Sequence, residues 1–124
     1  MIITHASLIP TESAEAEWLA QYLLLLQRTG KILLYSHIPH ETYTKSWNAR
    51  RKNTREGVRS GVPDYIIVTR TSVLFIELKR IKGGYVNKEQ QEWLLALNDK
   101  KTRTFVARGF EQAKKYLDEQ LASE

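Results

Sequence analysis

Two acids and a lysine in the middle of this chain have the types and spacing that phosphate chemistry uses. Asp64 follows Pro63, and Glu77-Leu78-Lys79 closes an apolar run that starts at Val73. Strand side chains alternate between faces, so Leu74, Ile76 and Leu78 point one way and Val73, Phe75, Glu77 and Lys79 the other. Both faces begin apolar, as a central strand covered on both sides requires. A carboxylate and an ammonium then share one face at the strand's end, where each is expensive to bury alone. Twelve residues lie between Asp64 and Glu77, and a hairpin of that length sets the start of one strand beside the end of the next. Hard oxygen ligands at such a convergence suit Mg²⁺ or Mn²⁺, bound by one or two carboxylates, waters and substrate phosphate. The ion acidifies a bound water and offsets charge in an in-line displacement, and a lysine beside it orients that water. A plainer reading stays open: Glu77 and Lys79 form a same-face ion pair, and Asp64 only punctuates a turn.

Periodicity places the elements that must hold these groups. Residues 11–27 read as a helix, with Glu15, Leu19, Tyr22 and Leu26 on one face, Trp18 and Leu23 beside them, Thr11 as cap and Gly30 as stop. Residues 31–38 read as a strand ended by Pro39. Residues 40–61 are polar, basic and without a sustained period, and read as a long loop. Residues 64–69 and 73–79 form a hairpin through a turn at 70–72. After the Gly83-Gly84 break comes a helix over 87–98, then a strand over 103–107. An amphipathic helix over 110–121 follows, with Phe110, Ala113, Leu117 and Leu121 on its buried stripe. The order α-β-β-β-α-β-α implies an α/β fold, a mixed sheet flanked by helices, in one domain spanning 1–124.

Composition narrows the partners. Zero cysteine removes disulfides, thiolate nucleophiles and Cys-type metal sites together. Three histidines leave little for an imidazole metal site; His37 and His40 have the type of a general base, with nothing to set them beside Asp64. The longest apolar run, 22–26, is far short of the roughly 20 residues that span a bilayer, and no secretory signal opens the chain. No membrane partner is expected, and a cytoplasmic setting is. Lys45, Arg50, Arg51, Lys52, Arg55 and Arg59 against Glu56 carry the whole formal net charge of +5. So concentrated a surplus points to a polyanion, most simply nucleic acid, through phosphate contacts that position without reading sequence. Trp47 or Tyr43 could stack on an exposed base or simply pack under the loop. No base-reading helix of a known type is present.

The pattern Asp64, then Glu77-Leu78-Lys79, resembles the signature of the PD-(D/E)XK nuclease superfamily. Together with Gly61-Val62-Pro63-Asp64 and Lys88-Glu89-Gln90-Gln91-Glu92-Trp93-Leu94, it resembles the virus-type replication-repair nuclease (VRR-NUC) domain, in its stand-alone viral or bacterial form. Each motif alone is weak; three in this order and spacing are specific, and the resemblance covers nearly the whole chain. It implies a restriction-endonuclease-like fold and a Mg²⁺-dependent DNA endonuclease, with Mn²⁺ as substitute ion. Asp64, Glu77 and the Leu78 carbonyl would hold the metal, Lys79 would assist the attacking water, and Gln90 would sit beside the lysine. Asn87-Lys88-Glu89-Gln90 also has the spacing of a capping box, which would occupy Gln90 structurally. The family places an acid on its first helix. Glu15 fits that role better than Glu17 because it shares the inward stripe, although an acid in a first helical turn also suits the helix dipole. The resemblance further implies a homodimer acting on branched DNA such as four-way junctions. A flap- or nick-directed enzyme, a restriction-type nuclease, and a non-catalytic DNA-binding module on the same fold are the alternatives.

Overall fold

The computed structural model describes residues 9–39 and 46–124. Helix α1 (Glu12–Arg28) is capped by the Thr11 hydroxyl, which accepts the Ala14 N–H at 3.0 Å. Strand β1 (Leu34–His37) follows, then α2 (Trp47–Arg55), β2 (Tyr65–Val68), β3 (Val73–Lys79), α3 (Lys88–Leu97), β4 (Thr102–Arg108) and α4 (Phe110–Ala122). The four strands form one sheet in the order β1-β2-β3-β4, antiparallel except for the parallel β3–β4 pair. A mixed sheet flanked by helices is the architecture the sequence implies. No helix among the described residues is long and apolar enough to cross a membrane.

The core lies on one face of the sheet. Leu19, Leu23 and Leu26 of α1 and Ala113 and Leu117 of α4 pack on Ile67, Leu74, Ile76, Leu78 and Ala107, all fully or nearly fully buried. Each leucine or isoleucine so buried contributes about 1.5–3 kcal/mol. Helix α3 covers the other face, where the Thr104 hydroxyl of β4 donates to the Leu94 carbonyl at 3.1 Å. The alternation read along β3 therefore holds: Leu74, Ile76 and Leu78 face α1 and α4, and Glu77 faces α3.

Two elements differ from expectation. The first strand is only Leu34–His37, because the Lys31 and Ile32 N–H groups turn back to the Leu26 carbonyl and Ile32 plugs the core. The expected loop over 40–61 contains a nine-residue helix, α2, capped by the Ser46 hydroxyl on the Ala49 N–H at 3.3 Å. None of its residues is buried, so no apolar stripe records its period. It forms from residues of good helix propensity, Ala49, Arg50, Arg51 and Lys52, between its cap and Gly57.

Gly61 fixes how the chain enters β2. At φ +91° it adopts a left-handed conformation, and a Cβ there would stand 2.6 Å from the Glu89 carbonyl carbon and 2.8 Å from the Gln90 nitrogen. These are backbone atoms of α3, which cannot swing aside. The Trp93 indole N–H donates to the Ser60 carbonyl at 3.1 Å and fastens the same approach. Gly61→Ala is expected to destabilise the fold by about 2–4 kcal/mol, through backbone strain and overpacking together, as read by urea denaturation. A loss under about 0.5 kcal/mol would show that the two backbones do not meet so closely.

Candidate active site

The start of β2 and the end of β3 bring Asp64, Glu77 and Lys79 to one corner of the sheet, and α3 closes over it with Gln90. The Asp64 carboxylate accepts the Leu78 N–H through Oδ2 at 2.8 Å, which ties it to the strand that carries the other acid. In an extended strand a residue's N–H and C=O point to the same edge, so the Leu78 carbonyl faces the Asp64 side as well.

Gln90 organises the rest. Its amide nitrogen donates to Glu77 Oε1 at 2.8 Å, and its Oε1 accepts the Lys79 ammonium at 3.2 Å and the Asn87 N–H at 3.0 Å. The Asn87 side chain returns the bond by accepting the Gln90 N–H at 2.8 Å, which completes the capping box. The capping box that the spacing predicts is present, and the same side chain lies beside Lys79. The residue that caps the helix is held by that cap in the one orientation that joins the acid to the lysine. The Glu77–Lys79 ion pair is present too, at 3.6 Å, with the Glu77 side chain only 4% exposed.

One atom is left over. Glu77 Oε2 is buried and has no hydrogen-bond partner among the described residues. Burial, then the neighbouring Asp64 charge, pushes the Glu77 carboxyl up to about 7, against the opposing pull of Lys79. A backbone N–H of Asp64 pulls the same way as Lys79, and more weakly. A buried unpaired carboxylate oxygen beside a second carboxylate costs stability, and a divalent cation lying between the two acids would remove that cost. The donor set is all oxygen, as Mg²⁺ and Mn²⁺ prefer. Among the described residues no group of three or more acids, histidines or cysteines gathers to hold a metal. The oxygens gathered at this corner are those of the two carboxylates, with the Leu78 carbonyl on the same side.

Glu15 is buried and inward-facing while Glu17 is exposed, yet among the described residues Glu15 does not form a three-acid group with Asp64 and Glu77. Its Oε2 accepts the Phe110 N–H at the start of α4. The N-cap of that helix is Gly109, which has no side chain to satisfy the first N–H groups. A carboxylate reaching across from α1 does so instead, helped by the helix dipole. Glu15→Ala is expected to cost about 1–2 kcal/mol of stability, while Glu15→Gln, which keeps an acceptor, retains the fold and the activity. Loss of cleavage by a stably folded Glu15→Gln would show instead that its charge serves the site.

Arg108 has no sequence signal for its role. In the parallel register it lies opposite Lys79, and its guanidinium donates to the carbonyls of Gly83 at 2.9 Å and Gly84 at 3.1 Å. It thereby ties down the segment that leaves the site. His37 packs its ring on Tyr65, 4.9 Å between centroids, and so lies on the α1 face, opposite to Glu77. Arg50, Arg51, Lys52, Arg55 and Arg59 are exposed on α2 and just beyond it. Lys45, Tyr43 and His40 lie outside the described residues. A concavity of about 570 Å³ lies beside the Arg70-Thr71 turn, at the far end of the β2–β3 pair from the carboxylates; it has no part in this chemistry.

The VRR-NUC domain family model matches residues 12–111. A solved structure described as a VRR_NUC domain protein is similar over 91% of this chain and 91% of its own, with a TM-score of 0.66 at 21% identity. That likeness concerns the fold. No curated protein matches the sequence significantly.

Proposed function

The chain belongs to the VRR-NUC domain family, a nuclease domain family, and from that premise we propose that it hydrolyses phosphodiester bonds in DNA with a divalent cation, Mg²⁺ or Mn²⁺, held by Asp64 and Glu77. The observation that carries the reading is the buried, unpartnered Glu77 Oε2 beside Asp64. A cation bound there, when present, neutralises phosphate charge and makes a water more acidic for in-line attack. The chain's own groups do the rest. Asp64 and Glu77 supply the carboxylate oxygens, and the Leu78 carbonyl supplies a neutral one. Lys79, anchored by Gln90 at 3.2 Å, has further N–H donors with which to orient the attacking water and offset charge building on the phosphate. Gln90 holds lysine and glutamate at fixed separation, so neither must reorganise as the reaction proceeds. The products are a 5′-phosphate and a 3′-hydroxyl.

The exposed bases of α2 and Arg59 bring the substrate. Arg59 lies five residues before Asp64, at most about 18 Å of extended chain, so a phosphate it holds is within a few nucleotides of the acids. In its finer form the proposal is a homodimer acting on branched DNA, since one chain offers one site and symmetric cutting of two strands needs two. A non-catalytic DNA-binding module on this fold is disfavoured by Glu77. A protein with no use for the cation would be more stable without that buried charge.

Incubation with labelled linear, nicked, flapped and four-way DNA, in Mg²⁺ and in EDTA, tests the proposal. Cleavage in Mg²⁺ that EDTA stops is expected, with preference for branched forms. Cleavage that persists in EDTA, or binding without any cleavage, would overturn it.

A further inference from the structure

Helix α2 carries more than positive charge. Trp47, Arg50, Arg51, Thr54 and Arg55 follow the spacing i, i+3, i+4, i+7, i+8 and therefore form one continuous stripe along the helix. All five are exposed, Trp47 to 70%, and together they line a concavity of about 330 Å³. The Arg51 guanidinium lies 5.8 Å from the centre of the Trp47 ring, in cation–π range. The half-buried residues of α2, Ala49 and Asn53, sit on its other side. No acid interrupts the stripe; Glu56 follows the helix and pairs with Lys52, off the stripe.

We propose that this stripe is a stacking site for an unpaired nucleotide of DNA, with the Trp47 ring against the base and the three arginines on the flanking phosphates. Charge selects a polyanion, and the exposed indole selects the kind. A paired base in the interior of a duplex offers no π-face, whereas an unpaired base offers one that any aromatic ring can use. The site takes its ligand class from the nuclease reading, and adds to it that the enzyme prefers DNA with unpaired bases near the cut.

The experiment measures binding in EDTA, where nothing is cut, of the full chain to a blunt duplex and to the same duplex with a five-nucleotide single-stranded gap holding 2-aminopurine. Wild type is expected to bind the gapped DNA more tightly and to quench the 2-aminopurine. Trp47→Ala should weaken gapped-DNA binding roughly tenfold, change blunt-duplex binding less than about twofold and abolish the quenching, while Trp47→Phe keeps most of both. Equal losses on the two DNAs, no loss on either, or a wild-type protein that leaves 2-aminopurine unquenched would overturn the proposal. Stacking without cleavage when Mg²⁺ is restored would overturn the nuclease reading alone. Cleavage with Trp47→Ala indistinguishable from wild type would overturn the stacking site alone.

Discussion

Asp64→Asn is expected to reduce cleavage on the order of 10³-fold or more while leaving the fold and DNA binding intact. The substitution keeps an oxygen to accept the Leu78 N–H, the bond that fastens Asp64 to β3, and removes only the charge. Metal-borne charge stabilisation of a phosphoryl transition state is worth several kcal/mol, and each 1.36 kcal/mol is tenfold in rate. Removing a negative charge next to phosphate should hold DNA affinity steady or raise it. Single-turnover cleavage alongside binding in EDTA separates the two effects. Cleavage within about tenfold of wild type would mean that Asp64 serves the hairpin and not the chemistry. Asp64→Ala is the harsher version, because it also leaves the Leu78 N–H without its acceptor.

Glu77→Gln should do two opposite things: end cleavage and stabilise the metal-free protein. The carboxyl titrates near 4.5 when the chain is unfolded and near 7 in the fold, chiefly because it is buried and secondly because Asp64 is beside it. Between those values the native state holds a proton that the unfolded state has released, so this group makes stability fall as pH rises. Its contribution vanishes below about pH 4.5 and reaches its full penalty above about pH 7. That penalty is at most about 3–4 kcal/mol, at 1.36 kcal/mol for each pH unit between the two values. The glutamine isostere removes the slope. In EDTA, urea denaturation should show Glu77→Gln more stable than wild type at pH 8 and nearly equal to it at pH 4. Mg²⁺ or Mn²⁺ at pH 8 should then stabilise wild type and leave the variant almost unmoved. A variant less stable than wild type at pH 8 in EDTA would show that the carboxylate is satisfied within the fold.

The parts of this molecule that could be read in advance are those whose cause is local. The β3 alternation, the Asn87–Gln90 capping box and the α4 stripe each depend on residues a few positions apart, and each stands where its spacing puts it. The direction of Glu15 was legible for the same reason, as it shares the stripe of Leu19 and Leu26. Its destination was not, because the contact runs across the fold to Phe110 and answers a need created by Gly109. Helix α2 leaves no such trace because its period is written in charge: arginines at helical spacing look the same in sequence as arginines in a solvated loop. The Glu77 orphan depends on burial by α3 and on the approach of Asp64, neither of which spacing along one strand reveals. Gly61 stood in the motif without an explanation; its reason is the α3 backbone 2.6 Å from where a Cβ would be.

Anomalous diffraction from crystals soaked in Mn²⁺ puts the account to its most direct trial. It predicts a manganese peak about 2.1 Å from a carboxylate oxygen of Asp64, from Glu77 Oε2 and from the Leu78 carbonyl, lost in Asp64→Asn and in Glu77→Gln. Soaked crystals with no peak at that corner, or with manganese bound elsewhere and Glu77 Oε2 still unpartnered, would contradict it.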